Sequence, residues 1–414
     1  MADLFIIGSF DGTAATTSVS VGSQVMHMLT VIIVGLAMGS IVSIGNAVGA
    51  GDRKKAALNI GNTVTLFMAL SLVLTVALVL VVKPIVNAVS TPAEAVDGAV
   101  KYLTICFLGI PFITAYNIIS SVFRGLGDSK SPMYFIAVAC ASNIVLDYLF
   151  IGAFDMGPAG AALGTTLSQG LSVAVSLFVI LKRRLGIELK RTALKPLGSV
   201  TGKILKIGVP ISLQDGFIQI SFILITAIAN RRGLTDAAAV GIVEKIIGFV
   251  FLVPSSMLSA VSAIGAQNIG AGKPKRAVST LGYAIIISSV FSVAATVTVQ
   301  FAANGMVGLF TDDSAVILSG GQYLKGYIWD CFFAGIHFSC SGYFCAAGKS
   351  GFPFLHNLLS IILVRIPGAY ITSKLFKTTL LPMGLSSAAG SLFSVIICAV
   401  IMAVMLKKGN YKSA

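Results

Sequence analysis

Five carboxylic acids lie inside apolar runs of this chain: Asp3, Asp147, Asp215, Glu244 and Asp330. An ionisable group in that setting is costly to desolvate and is a functional candidate by default. The chemistry such a group offers is an exchange of partners. Ionised, a sequestered carboxylate attracts an organic cation; neutralised by a proton or a sodium ion, it lets that cation go. Asp147 is the first choice, because Asn143 precedes it by four residues and a helix places both on one face. An amide beside a carboxylate can hold a proton network or a small ion. Asp155 follows soon after, which leaves open a helix-end acid near the surface. Asp215 comes one turn after Pro210. Lys245, Lys325 and Arg365 lie in or beside the same runs and could neutralise Asp215 and Asp330 instead. Glu244 and Lys245 are adjacent and point about 100° apart, so Glu244 is expected to reach a neighbouring helix rather than Lys245.

The elements that position these acids follow from composition. Hydrophobic residues make up 56% of the 414 and charged residues only 11%, against roughly 25% charged in soluble globular chains. Apolar runs of membrane-spanning length recur, near 19–48, 57–82, 98–123, 132–153, 158–181, 203–229, 238–269, 277–310, 315–346, 352–373 and 381–406. Continuous runs without polar alternation exclude a barrel and leave a polytopic all-α membrane protein. Pro111 and Pro254 interrupt two runs and could bend them. The small-residue stretches Gly157–Ala162 and Ser386–Gly390 suit close helix contact.

The chain also repeats itself at an offset of 221 residues. Gly49-Ala50-Gly51-Asp52-Arg53-Lys54-Lys55-Ala56 matches Gly270-Ala271-Gly272-Lys273-Pro274-Lys275-Arg276-Ala277. Gly127-Asp128-Ser129-Lys130-Ser131-Pro132 matches Gly348-Lys349-Ser350-Gly351-Phe352-Pro353, and Gly12 pairs with Gly233. Duplicated helical units build many secondary transporters. We read an N-terminal lobe, 1–200, and a C-terminal lobe, 201–414. The helix that opens the second lobe has only a remnant, Ala2–Gly8, as its counterpart. That pattern predicts a twelve-helix parent, with eleven full helices and a remnant in the sequence given.

A formal charge of +14 is a topology signal rather than a nucleic-acid surface. Of 29 Lys and Arg residues, 20 fall in the segments 49–56, 124–132, 182–206, 270–277, 348–350 and 407–412. These alternate with poor loops and mark the cytoplasmic side, which holds the inter-lobe loop (Lys182, Arg183, Arg184, Lys190, Arg191, Lys195) and the C-terminus. The six cysteines form no Cys-x-x-Cys pair and the three histidines are scattered, so no metal site is expected.

Two six-helix lobes, the paired Gly-Ala-Gly basic loops and Phe123-Arg124-Gly125-Leu126-Gly127-Asp128-Ser129-Lys130-Ser131-Pro132 together resemble the multidrug and toxic compound extrusion (MATE) family. Gln214-Asp215, Val243-Glu244-Lys245 and Gln267-Asn268-Ile269-Gly270 look like its bacterial DinF-like branch. The resemblance implies a multi-pass plasma-membrane antiporter, a monomer with no cofactor beyond a coupling proton or sodium ion. It would export a small cationic amphipathic substrate as its halves rock between outward-open and inward-open forms. It further implies that Asn143 and Asp147 belong to an amino-lobe cation site with Thr165 as hydroxyl partner. Asp3 would be the acid at the outer end of the first helix. Ser120, one turn after Asn117, stands where many relatives carry Asn. Sodium-coupled relatives carry carboxylates on the helices that hold Asp215 and Asp330.

Two rivals arise. A lipid-linked oligosaccharide flippase of the same superfamily would call for a cationic cavity, whereas the acids here outnumber Lys245 and Arg365. Gly125-Leu126-Gly127-Asp128 fits an intramembrane aspartyl protease signature, but Asp128 falls in a basic loop and its repeat partner is Lys349. No Walker loop is present, so ATP is not the expected fuel.

Overall fold

The computed structural model describes residues 2–89, 91–183 and 190–407. Arg184 of the basic linker and Lys408 and Lys412 of the tail lie outside them. Two compact units are formed, one of Met1–Val48 with Asp52–Leu205, the other of Lys206–Ala414 with Gly49–Gly51.

The first unit holds α1 (Ala2–Phe10), α2 (Thr13–Gly49), α3 (Arg53–Leu80), the short α4 (Val82–Ala88), α5 (Ala93–Leu108), α6 (Ile110–Leu126), α7 (Lys130–Asp147) and α8 (Gly157–Arg183). A wide π-helical stretch, Tyr148–Ala153, extends α7, and a 3₁₀ turn, Arg191–Leu194, follows α8. Next comes α9 (Gly198–Asn230). The second unit continues with α10 (Leu234–Val250), α11 (Leu252–Gly270), α12 (Pro274–Gly308), α13 (Ser314–Tyr327), α14 (Trp329–Ala346), α15 (Gly351–Ser360), a π-helical stretch Ile361–Arg365, α16 (Ile366–Leu375) and α17 (Leu381–Lys407). Among the described residues there is no strand.

The duplication is written into the backbone. Gly51 and Gly272 both adopt left-handed φ, 71° and 68°, and so do Gly127 and Gly348, 92° and 70°. Only glycine takes that conformation without strain, and it ends a helix there. Both α5 and α13 begin at the same repeat position, as do α7 and α15, while α1 matches the last turns of α9.

Among the described residues nine helices are long and apolar enough to cross a membrane, and ten when the bent pair α5–α6 counts as one span. The eleventh expected segment, 315–346, is α13 plus α14, broken at Ile328. It is the most enclosed part of the second unit: α14 buries Asp330, His337, Ser339 and Ser341 among its core residues and packs against α11, α12 and α17. The expected run 98–123 is likewise not straight. It turns by 47° at Gly109, with Pro111 at the first turn of α6, where its missing N–H costs nothing. Pro254 sits just after the break at Phe251, whereas Pro210 lies inside α9.

Packing runs opposite to that of a water-soluble bundle. On α12, Ile286, Val290, Val293, Val297 and Phe301 are exposed, while Ser288, Ser292, Thr296 and Ala303 are buried. With hydrocarbon outside, large apolar side chains gain nothing by facing inward, and small or hydroxyl residues let backbones approach. Ser292 Oγ donates to the Cys331 carbonyl at 3.1 Å. At α13–α17, a Cβ on Gly384 would stand 2.4 Å from the Tyr323 carbonyl oxygen. Gly384→Ala is therefore expected to push α13 and α17 apart and cost about 1–3 kcal/mol. Gly248→Ala, whose Cβ would meet nothing within 4 Å, should leave thermal unfolding in detergent unchanged. Equal melting of the two variants would refute the close-contact account.

The linker is tied to the first unit. Asn62 Nδ2 donates to the Ala193 carbonyl at 3.2 Å, its Oδ1 accepts from the Leu197 N–H at 2.6 Å, and Thr65 Oγ1 donates to the Leu194 carbonyl at 2.7 Å.

Candidate functional site

In the first unit four of the residues singled out above come together. Asp147 is the last regular residue of α7, completely buried, at the point where the helix widens into its π stretch. Such widenings recur at functional positions because they re-aim side chains and free backbone groups. Asn143, one turn earlier, donates from Nδ2 to Asp147 Oδ1 at 3.3 Å. The facing helix α8 makes room: a Cβ on Gly164 would lie 2.1 Å from that same oxygen, and one on Gly160 would lie 3.0 Å from the Phe150 backbone. Gly164, just after the small-residue stretch that opens α8, thus serves as the wall of the site.

Asp3 reaches the site from α1, whose Ile6 and Ile7 are buried in one core cluster with Tyr102, Cys106 and Ile151. Its Oδ2 accepts a hydrogen bond from Thr165 Oγ1 on α8 at 3.1 Å. The Asp3 and Asp147 carboxyls face one another within hydrogen-bonding reach. Asp147 Oδ2 receives no hydrogen bond from a protein donor, and neither acid forms an ion pair with Lys or Arg among the described residues. Two like charges that close repel in a poorly solvated site, so a positive charge between them is favoured. Tyr102 and Cys106, hydrogen-bonded to each other, stand within electrostatic reach of Asp3.

Asn117 and Ser120 are not joined to this group by any hydrogen bond. Asn117 Nδ2 donates to the Ile113 carbonyl of its own helix at 2.8 Å, and the Ser120 hydroxyl is buried without a partner among the described residues. Asp155, beyond the π stretch, lies close enough to Asp11 at the α1–α2 turn for the two like charges to repel. Burial, and then the Asp155 charge, push the Asp11 carboxyl above the usual range.

The second unit places Glu244, Asp330 and Arg365 in one polar cluster. Glu244 accepts from Thr226 Oγ1 on α9 at 3.0 Å, not from Lys245. Arg365, the last residue of the π stretch after α15, lies 3.5 Å from Asp330 Oδ2 and donates to the Tyr327 hydroxyl. Its guanidinium also stacks 5.0 Å from the Phe222 ring centre. Asp330 and Arg365 are both buried, so the expected positive neighbour of Asp330 is in place. Asp215 on α9 forms no ion pair among the described residues, and both polar atoms of the neighbouring Gln214 side chain are buried without partners. His337 and His356, scattered in sequence, stand with ring centres 5.5 Å apart, and Ser341 Oγ is 2.9 Å from His356 Nε2. Among the described residues no group of three metal-binding side chains forms. Asp128 accepts from the N–H groups of Lys130 and Ser131 at 3.0 Å each and from the Ser131 hydroxyl at 2.6 Å, and so shapes the turn that opens α7.

The clusters around Tyr102 and around Tyr327 and Arg365 are the part that sequence reasoning missed. The one signal available was the pair Tyr323 and Tyr327, one turn apart in a glycine-rich run.

Comparison with known proteins identifies the family and the fold. A sequence model described as MatE matches residues 1–149 and 210–371. The chain is 31% identical over 398 residues to YpnP of Bacillus subtilis (strain 168), a probable multidrug resistance protein, covering 96% of this chain and 88% of that one. It is 25% identical to NorM of Thermotoga maritima, also a probable multidrug resistance protein, covering 95% and 85%. A solved outward-facing multidrug resistance MATE transporter superposes with a TM-score of 0.91 at 19% identity, covering 98% of this chain and 92% of that one; at that identity the likeness concerns the fold. The chain belongs to the MatE family of multi-pass membrane transporters and is not an enzyme.

Proposed function

We propose that this protein is a cation-coupled antiporter that exports cationic, amphipathic drugs or metabolites. The observation that carries the reading is the Asp3–Asp147 carboxyl pair, held by Thr165 and Asn143 and without a basic partner among the described residues. A proton or sodium ion arriving at this pair lowers its negative charge and releases an organic cation; its departure restores the attraction. Alternating access comes from rocking of the two lobes, with the basic loops and both the linker and the C-terminus on the cytoplasmic side of the plasma membrane. The protein works as a monomer. The named relatives are multidrug resistance proteins, which supports drug export. An oligosaccharide flippase is not favoured, because a carboxyl pair repels diphosphate headgroups.

The test is reconstitution in vesicles with pH and sodium gradients imposed separately, following uptake of a fluorescent cationic dye. One gradient alone should drive dye movement against its own concentration gradient. Dye movement independent of both gradients would overturn the proposal.

A further inference from the structure

Nine of the 29 Lys and Arg residues lie outside the basic segments, and four of those nine, Arg231, Arg232, Lys374 and Lys377, line a single cavity of about 300 Å³. The cavity lies in the second unit where α9 and α16 end. The span α10–α11 runs from Leu234, just beside it, to the Gly272 turn, so the cavity and the basic turns occupy opposite ends of the helices. Positive charge gathered at that end runs against the distribution that orients the rest of the chain.

The four cations have different tasks. Arg232 is fully engaged: Nε meets Asp236 Oδ2 at 2.7 Å, Nη1 donates to the Ser373 and Phe376 carbonyls, and Nη2 donates to those of Lys377 and Thr379. It pins the α16–α17 connection against the α9–α10 turn and consumes Asp236. Arg231, Lys374 and Lys377 are exposed and form no ion pair among the described residues. Lys374 Nζ lies 5.9 Å from the Tyr370 ring centre. Three unneutralised cations are thus presented by a backbone held rigid by the fourth. Around them the surface is apolar and open: Leu234 is 88% exposed and Leu375 71%.

We propose that this cavity binds a phosphate-bearing anion, and that its occupant is the headgroup of an anionic phospholipid in the outer leaflet. The Arg231 guanidinium fork and the ammonium charges of Lys374 and Lys377 suit the oxygens of a phosphodiester. The exposed leucines beside the cavity suit the acyl chains, which free phosphate would not need, and Tyr370, near the end of α16, suits the interfacial belt that aromatic rings favour. The leaflet follows from the orientation proposed above; binding itself does not depend on transport activity. Anchoring α9 and α16 to one lipid would tie this end of the unit to the bilayer surface.

The full-length protein is placed in nanodiscs of mixed phosphatidylcholine and phosphatidylglycerol, extracted, and its retained lipid measured by mass spectrometry. The wild type should retain phosphatidylglycerol in excess of its share. In the triple variant Arg231→Gln, Lys374→Gln, Lys377→Gln, affinity should fall by roughly five-fold per charge removed. A second triple variant, Lys273→Gln, Lys275→Gln, Arg276→Gln, removes the same charge at the opposite end and should retain the excess. If the first triple variant does not fold, the single changes Arg231→Gln and Lys377→Gln serve in its place. Equal retention by wild type and cavity variants overturns the proposal, as does equal loss in both triple variants. Displacement of the lipid by millimolar inorganic phosphate would assign the cavity to a free anion and overturn the lipid assignment.

Discussion

Asp147→Asn is expected to reduce gradient-driven dye transport to the level of vesicles without protein, while expression and thermal stability hold. The argument rests on shape and charge together. Asn is nearly isosteric with Asp, so the room left by Gly164 and the contact with Asn143 survive. The new amide can donate to the Asp3 carboxyl, replacing a repulsive contact by a hydrogen bond. Folding therefore has no reason to suffer. What disappears is the group that can be charged in one half of the cycle and neutral in the other. Gly164→Ala tests the same site without removing a carboxyl. Its Cβ would stand 2.1 Å from Asp147 Oδ1, so the carboxylate must move and transport should fall in part. Drug efflux by Asp147→Asn at the wild-type rate would dismiss the carboxyl pair as the coupling site.

How far the sequence carried this reading depends on the kind of feature. The turns were legible: Gly51, Gly127, Gly272 and Gly348 are glycines because their φ is positive, and the repeat offset paired them before any coordinates did. Asn143 and Asp147 were legible because a four-residue spacing fixes their relation on any helix. Asp3 stood out as an acid in an apolar run, but its place at the site and the part of Thr165 came only through family resemblance, since 162 residues separate the two and no local pattern predicts their contact. The bend at Gly109 was announced by Pro111, whereas the break at Ile328 was not foreseen. At Ile328 there is no proline, Gly326 was not read as a breaker, and composition saw only an apolar run. Both π stretches were invisible for the same reason: one extra residue per turn leaves no mark in a segment that is apolar on every side. Arg365 was noted as a possible counter-ion, but its contacts with Tyr327 and Phe222 depend on how three helices pack.

That packing leads to the largest expected effect on stability. Asp330 is fully buried and Arg365 nearly so, at 0% and 8% exposure. Arg365→Gln leaves the carboxylate without its positive neighbour and the Tyr327 hydroxyl without its donor. Breaking a buried pair from one side costs about 3–5 kcal/mol, because an uncompensated charge stays behind. Asp330→Asn strands the guanidinium and should cost a similar amount. The double variant Arg365→Gln, Asp330→Asn removes both charges at once, and a pair of neutral, hydrogen-bonding side chains carries no such penalty. Its melting temperature in detergent should therefore lie above that of either single variant, with a coupling of about 1–3 kcal/mol. Additive losses would mean that the two residues do not form a pair in the membrane. The same double variant separates the two lobes by role. Asp330 already has a cationic neighbour in Arg365, whereas the Asp3–Asp147 pair has no Lys or Arg beside it among the described residues. Dye transport by the double variant should persist, and its loss in a stably folded protein would move the coupling site to the second unit.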